Sequence, residues 1–322
     1  MTSRSQLPPG LSSRSFSIGE ARRHGVSRGR LAASDLVTPT RGVRVPWGVQ
    51  LSPAEVVRPL LTLMPDAVAS FITAAKVWGF PLPLGWERDP TIHVTRPLST
   101  PGSTRPGVVC HRMGLADRDM VMLDGVLVTS RERTWLDLAG ILPLEHVVAI
   151  GDYLVCAHPE DFPVPRTALV EIDLLRGYLE AQRRVRGLPA ARRALGLVRV
   201  GADSVPETLL RLAEAEAGLP EPTLNHVIRD PFGRAIAWPD QAYVDLRFAI
   251  QYDGEHHRDA EQQASDNWRN RAVADLEWDQ LIVSAADVRR RGWDGVAAVV
   301  GARLRRLEQV RSGRAPLREM LA

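Results

Sequence analysis

The sequence predicts an α/β protein whose C-terminal part is a small α/β core, preceded by a helical N-terminal segment and a mixed α+β middle. Three observations lead there. From Ser204 onward the chain reads helix, short strands, helix, strand and helix. Leu246 to Gly254 alternates in the two-residue period of a half-buried strand. Finally, 322 residues exceed what one hydrophobic core usually holds, so segments at 1–48, 49–199 and 200–322 are expected to be separate domains.

Taken in order, Ser17-Ile18-Gly19-Glu20 fits a capping box and predicts a helix start, which His24-Gly25-Val26 interrupts. Ser27 can cap a second helix through Leu31, giving helix-turn-helix spacing, and Thr38 to Val45 reads as a strand pair or wing. In the middle, Ile92–Thr95, Gly107–Cys110 and Val126–Thr129 have β-branched strand character, Thr134–Leu142 and Leu144–Cys156 have helical apolar spacing, and Gln182–Arg199 reads as a helical linker. Beyond it, Ser204-Val205-Pro206-Glu207 opens a helix that stops at Gly218-Leu219-Pro220. A strand at Asn225–Ile228, a Pro-Phe-Gly turn, a hairpin of Pro239–Tyr243 with Leu246–Gly254, a helix at 260–276, a strand at Leu281–Ser284 and terminal helices follow.

Composition narrows the function. No run of about 18 apolar residues escapes interruption by a charge, which excludes a membrane span, and Met1–Ile18 has no signal-type apolar stretch, so a cytoplasmic location is expected. Cys110 and Cys156 lie far apart and outside any CxxC, which supports neither a disulfide framework nor a zinc motif. His93, His111, His146 and His158 are scattered. Lys76 is the sole lysine, so positive charge is almost wholly arginine, the fork-shaped donor suited to phosphate. Residues 1–50 carry net charge +6 and the tail from Ala286 is also basic, which suggests a polyanionic partner. Arg22, Arg23, Arg28, Arg30, Arg41 and Arg44 are the expected backbone-phosphate contacts.

The chemistry concentrates near the hairpin. Alternation puts Ala249, Gln251 and Asp253 on one face and Phe248, Ile250 and Tyr252 on the other, while Asp240 falls within about one residue of Gln251 across the turn. His256 and His257 follow at once. Two carboxylates, a carboxamide and imidazoles at a strand end suit a hard divalent cation such as Mg²⁺ (or Mn²⁺), which activates water and clamps phosphate. Each member also has a structural reading: Glu207 as a cap partner, Asp253-Gly254 as a turn, Asp266 and Arg269 as a helical ion pair.

Asp240, then Gln251-Tyr252-Asp253-Gly254 with His257, preceded by Ser204-x-x-Glu207 and followed by Asp266-x-x-Arg269, resembles the very-short-patch-repair endonuclease family of the PD-(D/E)XK superfamily over residues 200–310. Thr73-Ala74-Ala75, Trp78-Gly79, Pro81 and the run Thr129 to Thr134 resemble AbiEi-type antitoxins, winged-helix proteins with an accessory domain. The resemblance implies a restriction-endonuclease-like core in which Asp240 is the central metal ligand, Glu207 a helix-borne partner, and Gln251 and Asp253 the remainder. Asp240, Asp253 and Glu207 would hold the ion, His257 would donate a proton or touch phosphate, and Arg269 would contact DNA. The chain departs from the family at Gln251, where Glu is usual, and at Asp253, where the superfamily has Lys. The expected function is a metal-dependent DNA endonuclease; the alternatives are a non-catalytic DNA-binding regulator on a degenerate nuclease fold, and a nuclease acting on RNA.

Overall fold

Serine side-chain caps fix the starts of several helices. In the computed structural model, which describes residues 6–254 and 269–319 with side chains to Ser312, the chain is mixed α/β and divides into two units: Met1–Pro143 with Gly177–Arg192, and Leu144–Arg176 with Arg193–Ala322.

The first unit opens with α1 (Pro9–Ser12), β1 (Phe16–Ser17), α2 (Ile18–Arg23), α3 (Arg28–Leu31), β2 (Leu36–Val37) and β3 (Val43–Pro46). The hydroxyls of Ser17 and Ser27 accept the amides of Glu20 and Arg30, so both expected caps form. The Glu20 carboxylate pairs with Arg14. The three strands make an antiparallel sheet in the order β1-β3-β2, with Val37 opposite Val45. Leu11, Phe16, Ala21, Val26, Leu31 and Leu36 form its core.

Helices α4 (Pro53–Leu63), α5 (Phe71–Trp78) and α6 (Leu84–Arg88) alternate with β4 (Val68–Ala69), β5 (Ile92–Arg96), β6 (Val108–Arg112), β7 (Met120–Leu123), β8 (Val126–Thr129) and α7 (Arg131–Leu138). The mixed sheet runs β6-β5-β4-β8-β7. Val43 of β3 shares one core with Val57, Leu60, Val94 and Val128, so the N-terminal sheet is packed into this unit. The run Thr129 to Thr134 is structural. Thr129 and Thr134 hydroxyls bond at 2.8 Å, Ser130 caps α7, Arg131 lies over the Trp78 ring, and buried Arg133 reaches Asp137 at 2.9 Å and Asp119 at 3.4 Å.

The second unit holds α8 (Leu144–Val155), which packs on α11 (Val205–Glu216). Between them in sequence run α9 (Ile172–Ala181) and α10 (Leu188–Leu197); the linker helix expected over Gln182–Arg199 starts only at Leu188, after Gly187, whose φ of 86° is left-handed. After α11 come β9 (Ile228–Arg229), β10 (Ala235–Ala237), β11 (Gln241–Tyr243), β12 (Phe248–Asp253), α12 (described over 269–275), β13 (Asp279–Ser284) and α13 (Ala285–Glu319), which breaks at Gly292. The strand expected at Asn225–Ile228 starts only at Ile228, because Asn225 adopts a left-handed φ of 54°.

β12 is the centre of the sheet β11-β12-β13, antiparallel to β11 and parallel to β13. Its alternation is as expected. Phe248 and Ile250 face Leu210 of α11 and Val296, Val300 and Leu304 of α13, while Ala249 faces Ile228, Ala237 and Val273 on the other side.

One buried charge ties the helices of this unit. Asp152 of α8, 1% exposed, accepts the Arg199 amide at 2.7 Å on Oδ1, and Thr208 Oγ1 at 2.8 Å and Arg211 Nη2 at 2.7 Å on Oδ2. Removing one partner of such a pair strands a buried charge. Arg211→Met is expected to destabilise the protein by about 3–5 kcal/mol, measured as a loss of unfolding free energy in urea followed by tryptophan fluorescence.

Candidate metal centre

The hairpin register determines the site. Gln241 pairs with Ile250, which brings Asp240 opposite Gln251, as the sequence suggested. Asp240, just ahead of β11, crosses to β12 directly: its Oδ2 accepts the Tyr252 amide at 2.6 Å. Behind it lies Glu207, three residues after the cap residue of α11. Ser204 Oγ accepts the Glu207 amide and donates to Glu207 Oε1 at 2.7 Å, while the Asp203 amide donates to Oε2 at 2.8 Å. Gln241, 1% exposed, donates its amide to the Glu207 carbonyl, and its own Oε1 has no partner among the described residues.

Burial, then the Glu207 carboxylate and more weakly Asp203, push the Asp240 pKa up to about 8; only the Tyr252 amide favours its charged form. Burial likewise raises Glu207. No arginine or lysine side chain pairs with either carboxylate among the described residues. Two crowded carboxylates with no counter-charge among the described residues could take a cation, with Asp240 and Glu207 as the charged oxygen donors.

The other expected members are less concentrated. Gln251 is exposed, on the same face as half-buried Asp253, which pairs with Ser284 at the parallel β12–β13 edge. Arg269 on α12 lines a small crevice with Pro239 and Gln251. His256, His257 and Asp266 lie outside the described residues. Of the N-terminal arginines, Arg22, Arg23, Arg28 and Arg41 are exposed. Arg30 and Arg44 are half-buried and engaged within the fold. Arg30 grips Asp35 through two 2.8 Å bonds, and Arg44 donates to the Leu31 and Val43 carbonyls at 2.9 Å.

Three groups escaped the sequence reading. Asp203 adjoins Glu207 through its amide. It also meets His158 and Cys156, its Oδ2 lying 2.7 Å from His158 Nε2 and its Oδ1 accepting Cys156 Sγ at 3.4 Å. The third is Glu214, two helical turns beyond Glu207. It is 0% exposed and, among the described residues, accepts only the Tyr243 hydroxyl at 3.4 Å, while its Oε1 has no partner. The only local signal is the seven-residue spacing of Glu207 and Glu214 on the helix face that also carries buried Leu210 and Arg211.

No protein-family profile and no solved structure matches the chain. Curated relatives include proteins of Mycobacterium tuberculosis strains H37Rv and CDC 1551, both described as uncharacterized. Each is 29% identical over 226 residues, spanning 70% of this chain and 76% of the relative. The likeness carries no activity with it.

Burial pushes the Glu214 pKa up to about 8. The folded state therefore holds a proton that the unfolded chain gives up near pH 4.5, and stability falls as pH rises from that value towards 8, by at most about 1.4 kcal/mol per pH unit for one group. Glu214→Gln is expected to flatten this slope, as read from urea midpoints between pH 5 and 8.5. An unchanged slope would show that Glu214 does not hold the proton.

Proposed function

We propose that the chain is a metal-dependent phosphodiesterase acting on DNA, built on a PD-(D/E)XK core of the very-short-patch-repair type. The observation that carries this reading is Asp240: crowded by Glu207, tied to the β12 amide beside Gln251, and without a basic partner among the described residues. The helix-borne acid, the acid at the head of one strand and the polar pair on the next follow the order of the family motif. A divalent ion bound there would supply activation of water and neutralisation of phosphate charge. Asp240 and Glu207 hold it by carboxylate oxygens, and Gln251 turns its amide toward the open face.

The test is nicking of supercoiled DNA by the purified protein across Mg²⁺ and Mn²⁺ titrations. Asp240→Ala is expected to abolish nicking while leaving the fold intact. Gln251→Glu is expected to increase nicking or to lower the metal concentration required, because a full charge replaces a carbonyl dipole. At about 4 Å a unit charge pair is worth roughly 1 kcal/mol in water and about 4 kcal/mol at an effective dielectric of about 20.

One observation favours a second reading, a non-catalytic DNA-binding regulator. Gln251 and Asp253 occupy the two positions where the superfamily carries its acid and its lysine, so both charges differ at once. In that case neither parent nor Gln251→Glu nicks DNA, although both bind it.

Either reading uses the N-terminal segment as a winged helix, with the order α1-β1-α2-α3-β2-β3 and exposed Arg22, Arg23 and Arg28 on or beside the two short helices. Because Val43 belongs to the core of the first unit, deleting residues 1–48 would damage that core. Charge reversal is the cleaner test. Arg22→Glu, Arg23→Glu and Arg28→Glu combined should weaken duplex binding and reduce the slope of log affinity against log salt by about 0.9 for each phosphate no longer neutralised. The readout is fluorescence anisotropy at several salt concentrations.

A further inference from the structure

The loop after α8 and the turn before α11 bring together three side chains of different chemistry. Cys156 is 0% exposed, and its Sγ lies 3.9 Å from His158 Nε2 and 3.4 Å from Asp203 Oδ1; His158 Nε2 lies 2.7 Å from Asp203 Oδ2. Sulfur, nitrogen and oxygen ligands placed about 2 Å from one ion in a tetrahedral array stand roughly 3 to 4 Å apart. One such atom from each of the three residues lies within 4.8 Å of the other two, close to that spacing.

Their surroundings are those of metal ligands. His158 Nδ1 lies 2.7 Å from the Val164 carbonyl oxygen, a contact that requires the proton to be on Nδ1 and leaves Nε2 aimed at Cys156 and Asp203. A ring nitrogen fixed in this way by a backbone acceptor is the usual second support of a ligating histidine. Arg166 donates to Asp203 Oδ1 at 2.8 Å and to the Tyr153 carbonyl at 3.0 Å, which holds the carboxylate and leaves Oδ2 toward His158. The loops themselves are pinned together. Asn225 donates to the Ala157 carbonyl at 2.8 Å and packs against Gly201, whose φ of 114° leaves no room for a β-carbon: one built there would lie 2.6 Å from Asn225 Nδ2. The His158 side chain is only 7% exposed whereas Asp203 is 39% exposed, so solvent reaches the cluster from the carboxylate side.

We propose that Cys156, His158 and Asp203 form a transition-metal site of the zinc class, separate from the Asp240 centre, with a fourth position open to water. A thiolate and an imidazole select a soft or borderline ion over Mg²⁺. Binding replaces the thiol proton and any proton on Nε2, both of which pass to solvent. The same Asp203 whose carboxylate ligates donates its amide to Glu207 Oε2, so the ion would lock the turn that orients Glu207. The site stands independently of the nuclease reading, because it is read by metal binding in the absence of DNA.

The experiment uses full-length Cys110→Ser protein, dialysed against chelator, so that Cys156 is the sole thiol. Titration with Co²⁺ is expected to saturate at one equivalent with a thiolate-to-cobalt charge-transfer band in the near ultraviolet. Zn²⁺ should displace the cobalt, and a large excess of Mg²⁺ should not. Cys156→Ser should remove the band and His158→Ala should weaken binding at least tenfold, with circular dichroism reporting that each remains folded. Where Cys156→Ser does not fold, His158→Ala decides. Absence of the band, a band that persists in Cys156→Ser, or Co²⁺ affinity unchanged in His158→Ala would each overturn the proposal, whatever the outcome of the nicking assay.

Discussion

The second unit depends on one buried carboxylate. Asp152 lies inside α8, where a charge without partners would be prohibitive, and its two oxygens are saturated by the Arg199 amide, the Thr208 hydroxyl and the Arg211 guanidinium. Those partners come from the end of α10 and from the first two turns of α11. The bonds set the position of α11 on α8 and therefore the place of its cap, Ser204, and of Glu207 beyond it. The loop that leaves α8 carries Cys156 and His158, so the same anchor governs what meets Asp203. Burial raises the Asp152 pKa even against Arg211, a sign that this anchor is costly as well as specific.

The acidic centre extends that logic to groups that are not saturated. Among the described residues Asp240 and Glu207 accept only neutral donors, and their mutual repulsion adds to the cost of burial. Arg133 shows the contrast within this chain: it is buried between Asp119 and Asp137, so those two acids share a counter-charge. An acid cluster left unbalanced at the junction of a helix start and a strand edge is the arrangement a cation would complete. Asp203 touches both this cluster and the Cys156–His158 pair, so one short turn links the two proposed sites.

The arginines divide along similar lines. Arg30, Arg44, Arg211 and Arg303 are consumed by carboxylates or carbonyls of the fold, the last through two 2.6 Å bonds to Asp279. Arg22, Arg23, Arg28 and Arg41 remain exposed on a small sheet-and-helix segment whose core is Phe16, Ala21 and Leu31. A count of basic residues overstates the surface available to a polyanion, because the guanidinium fork suits a backbone carbonyl as well as a phosphate.

What the sequence by itself determined was everything governed by neighbours along the chain. Ser17, Ser27 and Ser204 announced helix starts because a hydroxyl bonds an amide three residues on. The period of two in Phe248–Asp253 assigned its faces, and the length of the hairpin connection placed Asp240 opposite Gln251. Tertiary structure alone decided the rest. Cys156 and Asp203 are 47 residues apart and meet only because α8 packs on α11. Glu214 is buried against Tyr243, 29 residues further along the chain, and Arg44, expected to reach phosphate, bonds to the Leu31 carbonyl. Caps and alternation are short-range consequences of backbone geometry, whereas convergence of distant side chains depends on how buried faces pair, which no local spacing encodes.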